Sequence, residues 1–241
     1  MTPFDEMLNK VHCMDALALL AAIPSESVDM ILTDFPYGEI NHIDRLHSRA
    51  AYGGVLRNLH KGTADEVNFD LLAVLHELNR ITKNWLYLFC GTLQAGLIRE
   101  YFGQRDCMTR HCVWEKTNPS PLHGQYVWLS SIEDCIVVRK RGAPFYEFCR
   151  TGVWRFATEQ HQQHPTQKPL DLFKYLVISS TQPGDTILDP FCGSGTTAVA
   201  AATLNRQFIA GDTDAGYCAI ARKRLETVTQ DMFEVFGYGN P

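Results

Sequence analysis

The distribution of apolar residues along the chain predicts short buried strands that alternate with helices. Runs rich in Val, Ile, Leu and Phe have the length of strands at residues 28–33, 85–89, 134–138, 186–189 and 208–212. Amphipathic or Ala-rich sequence predicts helices over residues 69–81, 170–179, 197–203 and 217–228. This alternation predicts an α/β fold built on a mostly parallel sheet.

Two of the predicted strands lead into segments whose side chains have distinctive chemistry. The first strand is followed by a carboxylate, a proline and an aromatic ring, in Asp34, Phe35, Pro36 and Tyr37. The strand at residues 186–189 ends in Asp189 and opens into a glycine turn, where a ligand can approach the backbone closely. Because ligands gather at the carboxyl ends of parallel strands, we expect both segments to contribute to function.

The composition is that of one globular domain. A chain of 241 residues with 45% hydrophobic content can bury a single sizeable core. Eight cysteines without a CxxC pair, a signal peptide or an apolar run of membrane length favour reduced thiols and a cytoplasmic protein. The net charge of −5 lacks the basic excess typical of a dedicated nucleic-acid-binding protein, so DNA binding would depend on local clusters of cations.

The two segments and three further blocks resemble the beta-class DNA amino-methyltransferases. The family's catalytic motif has the form Asp/Asn/Ser-Pro-Pro-Tyr/Phe, and its cofactor loop looks like Asp-Pro-Phe-x-Gly-x-Gly-Thr-Thr. In this chain the matching blocks cover residues 13–17, 34–37, 113–119, 164–169 and 189–197. The catalytic motif comes first and the cofactor loop last, which is the circularly permuted order of that class. The resemblance implies a Rossmann-like methyltransferase fold, a twisted sheet with helices on both faces and an antiparallel hairpin.

This resemblance implies S-adenosyl-L-methionine as the cofactor, DNA as the partner and an exocyclic amine as the target. Such an amine is a poor nucleophile because its lone pair is delocalised into the ring. Two acceptors aimed at its hydrogens favour the attacking form, and the Asp34 carboxylate and the Phe35 carbonyl would supply them. Tyr37 would stack on a base flipped out of the duplex. Phe35 stands where proline is usual, although Pro36 still favours an extended conformation there.

The cofactor-binding residues implied by the resemblance come from several blocks. Asp212, at a strand end, is placed to bind the ribose hydroxyls, and Asp214 is a nearby competitor for that role. Thr196 and Thr197 have the alternative role of capping the following helix, and Lys168 that of an exposed surface lysine. We expect no metal site, since His161 and His164 lack convincing partners. The predicted cofactor residues are Asp15, Ala16, Lys168, Asp189, Pro190, Phe191, Gly193, Ser194, Gly195, Thr196, Asp212 and Thr213.

We expect one methyltransferase domain, with a catalytic half at residues 1–138 and a cofactor-binding half at residues 164–241. Residues 139–163 would form a short target-recognition loop between them. Cations in loops on the catalytic side are expected to neutralise DNA phosphates. These cations are Arg139, Lys140 and Arg141, together with Arg45, Arg49, Arg57 and Lys61.

Asp at position 34 favours adenine N6 as the target, because the cytosine-N4 enzymes of this pattern more often begin with serine. Cytosine N4 is the nearest alternative. An RNA or protein amino-methyltransferase is less favoured, since glutamine-modifying enzymes place the cofactor loop before the catalytic motif. A non-catalytic nucleic-acid-binding relic conflicts with the intact loop, Asp34 and Asp212. The sequence leaves open the target site, a homodimer and a partner restriction enzyme.

Overall fold

The computed structural model describes residues 2–36, 69–121, 124, 128–159 and 167–236, with only the backbone of 229–236. The strands are β1 (Lys10–Cys13), β2 (Val28–Asp34), β3 (Thr82–Cys90), β4 (Cys107–Lys116), β5 (Ile132–Lys140), β6 (Val153–Phe156), β7 (Thr186–Asp189) and β8 (Gln207–Asp212). The helices are α1 (Ala16–Ala21), α2 (Leu71–Ile81), α3 (Thr92–Gly103), α4 (Leu170–Ser180), α5 (Thr196–Thr203) and α6 (Ala215–Phe236). All predicted strands and helices are confirmed. The pattern missed β1, β4, β6, α1 and α3.

The strands form one sheet in the order β1-β8-β7-β2-β3-β5-β4-β6. Among these described strands only β5 runs against its neighbours, and it forms an antiparallel hairpin with β4. The mostly parallel sheet and the hairpin implied by the family resemblance are therefore confirmed. The last residues of the parallel strands define what we call the carboxyl edge of the sheet, and the opposite side is the amino edge.

Helices cover both faces of the sheet, as predicted. Alternate side chains of a strand point to opposite faces, so β3 contributes to two separate cores. Tyr87 and Phe89 belong to the core beneath α4, α5 and α6, whereas Leu86 and Leu88 belong to the core beneath α1, α2 and α3. Complete burial of such a side chain contributes about 1.5–3 kcal/mol. This double burial explains why β3 reads as a continuous apolar run.

The direction of β5 overturns the prediction for the cationic run 139–141. Because β5 is antiparallel, Asp134 pairs with Cys90 at the carboxyl edge, and Arg139 pairs with Trp85 toward the amino edge. Lys140 is half-buried there, and its Nζ donates to the carbonyl oxygens of Asn79 (2.5 Å) and Thr82 (2.6 Å). The run therefore lies away from the catalytic side. Arg45, Arg49, Arg57 and Lys61 lie outside the described residues.

The predicted target-recognition loop at residues 139–163 is also partly wrong. Its first residues belong to β5, and Val153–Phe156 forms β6, which pairs with β4 in parallel. The strand β6 was missed because a run of only four residues does not stand out in an apolar pattern. Within the described part of the chain, no helix has both the length and the apolar character needed to cross a membrane.

Candidate active site

Three neighbouring parallel strands each end in an aspartate at the carboxyl edge. Asp212, Asp189 and Asp34 are the last residues of β8, β7 and β2, and these strands lie side by side. They border a cavity of about 500 Å³. That volume lies within the ordinary range of small-molecule sites.

Nearly all the predicted site residues that the structure describes line this cavity. They are Asp15, Ala16, Asp34, Phe35, Pro36, Lys168, Asp189, Pro190, Phe191, Gly193, Ser194, Thr196, Asp212 and Thr213. Gly195 does not line it and instead stands at the start of α5. Tyr37 lies outside the described residues.

The cavity also has walls that were missing from the predicted set. They include Phe69 and Asp70 before α2, Phe173 of α4 and Tyr217 of α6. The sequence predicted these three helices but carried no signal for which of their turns faces the carboxyl edge. Asp70, a helix N-cap that accepts from the Ala73 amide, is the kind of residue that could have indicated a helix beginning there.

Asp34 is held by a lysine that the sequence left ambiguous. The Lys168 ammonium bonds to Oδ2 of Asp34 and lies 2.9 Å from Oε2 of Glu133. Its side chain is only 4% exposed, so the alternative of a surface lysine is wrong. Glu133 was not predicted, and nothing in its local sequence distinguishes it from a surface residue of the hairpin.

Asp189 has a structural role inside the cavity wall. Its Oδ1 accepts from Thr33 Oγ1 (2.7 Å) and from the amide of Phe191 (3.1 Å), and its Oδ2 accepts from Thr197 Oγ1 (2.6 Å). Burial raises the pKa of Asp189 to about 7, against the lowering effect of these donors. Through this single carboxyl group, Thr33 and Thr197 therefore connect β2 and α5 to β7.

The glycine turn between β7 and α5 has a left-handed backbone conformation that residues other than glycine rarely adopt. Gly193 and Gly195 have φ angles of 49° and 80°, and Gly195 is the N-cap of α5. A Cβ on Gly195 would lie 2.7 Å from the Cβ of Ala221 in α6. Thr196 and Thr197 provide no side-chain cap, so that alternative is wrong. Arg224 of α6 donates to the Ser194 carbonyl oxygen at 2.8 Å and steadies the turn.

The two candidate ribose acids differ in their local bonds. Asp214 Oδ1 accepts from the amide of Tyr217 at 2.9 Å, which caps the first turn of α6. Asp212 receives the amides of Gly193 and Asp214, both at 2.9 Å, which orient its carboxylate at the strand end. Each carboxylate oxygen has capacity for more than one donor, so Asp212 can still accept from ligand hydroxyls.

Phe35 stands where the family usually has proline, and both its backbone amide and its ring make contacts. Its amide donates to the Phe89 carbonyl oxygen at 3.0 Å, which extends the pairing of β2 with β3. Its buried ring packs against Phe69 and Phe191, with centroids 5.8 and 5.6 Å away. The next residue, Pro36, accepts at its carbonyl from Gln94 Nε2 at 3.0 Å. The backbone after Asp34 is therefore anchored at successive residues.

The polar and apolar groups that line the cavity fit S-adenosyl-L-methionine, which combines an adenosyl group with an amino acid. Carboxylates at Asp15 and Asp212 suit hydroxyl and amino groups, and the turn at Gly193 permits close approach to the backbone. Aromatic side chains such as Tyr217 and Phe191 provide apolar walls. We find no group of His, Cys, Asp and Glu suited to a metal ion among the described residues.

Comparison with known proteins assigns the family. A family model described as DNA methylase matches residues 127–223. The type II methyltransferase M2.DpnII of Streptococcus pneumoniae is 31% identical, across 88% of this chain and 87% of that protein. The DNA adenine methyltransferase YhdJ of Escherichia coli K12 is 26% identical, across 89% of this chain and 82% of that protein.

Solved structures share the fold. The M1.HpyAVI–SAM complex superimposes with a TM-score of 0.66 at 22% identity, across 90% of this chain and 98% of that one. The cytosine-N4-specific PvuII DNA methyltransferase has a TM-score of 0.67 at 18% identity, across 91% of this chain and 89% of that one. The protein thus belongs to the S-adenosyl-L-methionine-dependent DNA methyltransferases that modify N6 of adenine or N4 of cytosine.

Proposed function

We propose that this protein transfers the methyl group of S-adenosyl-L-methionine to N6 of an adenine in DNA. The supporting observation is that Asp34, at the end of β2, borders the same cavity as Asp212 and the glycine turn after β7. A target amine bound at Asp34 would then be close to a cofactor bound beside Asp212. Proximity of this kind supplies most of what methyl transfer requires from a protein.

In this proposal Asp34, Phe35, Pro36 and Tyr37 form the catalytic motif. The Asp34 carboxylate accepts one hydrogen of the target amine, and the Phe35 carbonyl accepts the other. Tyr37 stacks on the base, which must leave the duplex to reach the cavity. When bound, the cofactor supplies a methyl group on a sulfonium, which is already activated for transfer.

The cofactor-binding roles are proposed for the remaining residues around the cavity. Asp212 holds the ribose hydroxyls, and Asp15 lies at the adenine end. The glycine turn surrounds the ribose and the methionine portion. In this scheme residues 1–138 supply the catalytic half and residues 164–241 the cofactor half of one methyltransferase domain. The other proposed cofactor residues are Ala16, Asp189, Pro190, Phe191, Gly193, Ser194, Gly195, Thr196 and Thr213, whereas Lys168, which the resemblance also implied, contacts Asp34.

Two observations favour adenine over cytosine. The motif begins with Asp34, whereas cytosine-N4 enzymes of this pattern more often begin with serine. In addition, the relative YhdJ is named a DNA adenine methyltransferase. We further propose a restriction-modification role, because M2.DpnII is named a type II methyltransferase. Co-purification with a nuclease, and the mass of the protein in solution, test a partner restriction enzyme and a homodimer.

Methylation of defined DNA by the pure protein, followed by nucleoside mass spectrometry and mapping, tests the function. We expect N6-methyladenine at a defined site and none with the Asp34→Ala variant. N4-methylcytosine would instead establish the alternative target. Methyl transfer only to RNA or protein, or cofactor binding without transfer to any substrate, would contradict the proposal.

A further inference from the structure

Four charged side chains form a cluster beside the cavity. Lys168 contacts Asp34 Oδ2 on one side and lies 2.9 Å from Glu133 Oε2 on the other. Oε1 of Glu133 lies 2.8 Å from the ammonium of Lys116. The exposed fractions of these side chains are 4% for Lys168, 15% for Lys116, 20% for Glu133 and 22% for Asp34.

The cluster balances two positive and two negative charges, which is what its burial requires. An unpaired buried ammonium or carboxylate is costly, and an opposite charge within about 4 Å offsets part of that cost. Burial opposes ionisation of Lys168, yet Asp34 and Glu133 together raise its pKa above the ordinary value. Burial likewise opposes ionisation of Glu133, and the two lysines lower its pKa to about 2. Lys168 and Glu133 therefore both stay charged across the physiological range.

Glu133 and Lys116 are on the β4–β5 hairpin and do not line the cavity. They lie toward the same edge of the sheet as Asp34, with β3 between β2 and the hairpin, so their positions are set by strand pairing. Lys168 lies between this rigid hairpin and Asp34. Glu133 is therefore connected to the cavity through its contact with Lys168.

We propose that Lys168 and Glu133 are positioning residues for Asp34. Lys168 holds Oδ2 of the carboxylate and Glu133 holds the Lys168 ammonium, and together they fix the orientation of the Asp34 carboxylate toward the target amine. This inference rests on the proposed methyltransferase function. It differs from the cofactor-binding role implied for Lys168 by family resemblance.

The test compares Glu133→Gln, Lys168→Met and the double variant in single-turnover methylation. We expect each single variant to slow methyl transfer by about 10- to 100-fold, as for misplacement of a reacting group by about 1 Å. The affinities for S-adenosyl-L-methionine and DNA should stay within about twofold of wild type. Because Glu133 acts through Lys168, the double variant should be no slower than Lys168→Met alone. Glu115→Gln is the matched control, since Glu115 lies on the same hairpin but pairs with Arg155 of β6, and its loss should leave the rate unchanged.

Folding is monitored independently through circular dichroism and the melting temperature. Glu133→Gln/Lys116→Gln removes one charge of each sign, keeps the cluster neutral and should still slow transfer. An unchanged rate in that variant, or multiplicative losses in the Glu133→Gln/Lys168→Met double, would overturn the inference. So would a large loss of cofactor affinity in Lys168→Met, which would return Lys168 to a cofactor-binding role.

A second measurement separates this inference from the proposed function. In NMR spectra, the buried Lys168 ammonium should give a slowly exchanging signal that both Asp34→Asn and Glu133→Gln shift. If the wild-type protein methylates no DNA, the proposed function fails. The NMR signal would still show whether Lys168 contacts Asp34 and Glu133. Methylation by wild type with an ammonium signal insensitive to both variants would overturn the inference alone.

Discussion

Thr33 Oγ1 donates a hydrogen bond of 2.7 Å to Oδ1 of Asp189, and both residues are buried. Thr33 immediately precedes Asp34, and Asp189 begins the cofactor loop. The bond therefore joins the two motifs across the adjacent strands β2 and β7. A displacement of one motif would strain the other, so the proposed catalytic and cofactor sides of the cavity share one buried hydrogen bond.

Replacing Asp34 with alanine is expected to slow methyl transfer by at least about 100-fold, the scale of losing one preorganised polar group at a reacting centre. The affinity for S-adenosyl-L-methionine should change little, because Asp34 is proposed to face the target amine. Single-turnover rates and calorimetric titration measure both quantities. A rate within a few-fold of wild type would remove Asp34 from the catalytic motif.

Replacing Asp212 with alanine is expected to weaken cofactor binding by about 1–3 kcal/mol, because ribose hydroxyls would lose their acceptor. Asp214→Ala is the matched control. It should instead lower the free energy of unfolding by about 1 kcal/mol through loss of the α6 cap, with little change in cofactor affinity. Calorimetry and urea denaturation separate the two effects, and the reverse result would exchange the roles.

Gly195→Ala and Gly142→Ala form a second matched pair, because the φ angles of these glycines are 80° and 81°. Gly142 has open space where a Cβ would be, so we expect only a conformational cost of about 1–2 kcal/mol. Gly195→Ala should cost about 1–3 kcal/mol more, since its Cβ meets Ala221. It should also weaken cofactor binding. Equal costs in urea denaturation would contradict the close packing of α5 against α6.

Phe35→Pro restores the residue usual in the family and removes two interactions. We expect loss of the hydrogen bond from the residue-35 amide to the Phe89 carbonyl, worth about 1 kcal/mol. Loss of the packing of the Phe35 ring should cost a few kcal/mol more. Phe35→Leu keeps the amide and should be less destabilised. Methyl transfer should persist in both variants where they remain folded, because the proposed second acceptor is a main-chain carbonyl. Loss of transfer in folded Phe35→Leu would show that the ring itself is required.

The raised pKa of Asp189 predicts a pH-dependent stability. In the folded protein this carboxyl group keeps its proton up to a pKa of about 7, whereas in the unfolded chain it ionises near pH 4. The folded state therefore binds more protons between these values. Its contribution to the free energy of unfolding falls as pH rises through that window, by up to about 1.4 kcal/mol per pH unit. Urea denaturation from pH 4 to 8 should show this fall in wild type and a smaller one in Asp189→Asn.

The sequence alone was enough to predict most of the elements that frame the cavity, with α1 as the exception. The apolar runs that became β2, β7 and β8 each end in an aspartate, and strand alternation with helices predicts that such ends meet at one edge. The hydrophobicity of a segment and the period of its apolar positions are local properties, so the sequence alone contains them. The catalytic and cofactor motifs follow these strands directly, which is why nearly all the predicted residues line one cavity.

The direction and the pairing of strands were decided only by the tertiary structure. An apolar run has the same pattern in either direction, so the sequence could not show that β5 carries Arg139 toward the amino edge. It also could not show that Lys168 meets Asp34 and Glu133, because these contacts join residues far apart in the chain. From sequence alone a charged residue is predicted to be exposed, because its partner of opposite charge is known only from the tertiary structure. Only the pairing of the β4–β5 hairpin with β3 brings Glu133 close to Lys168 and makes the burial of that lysine possible.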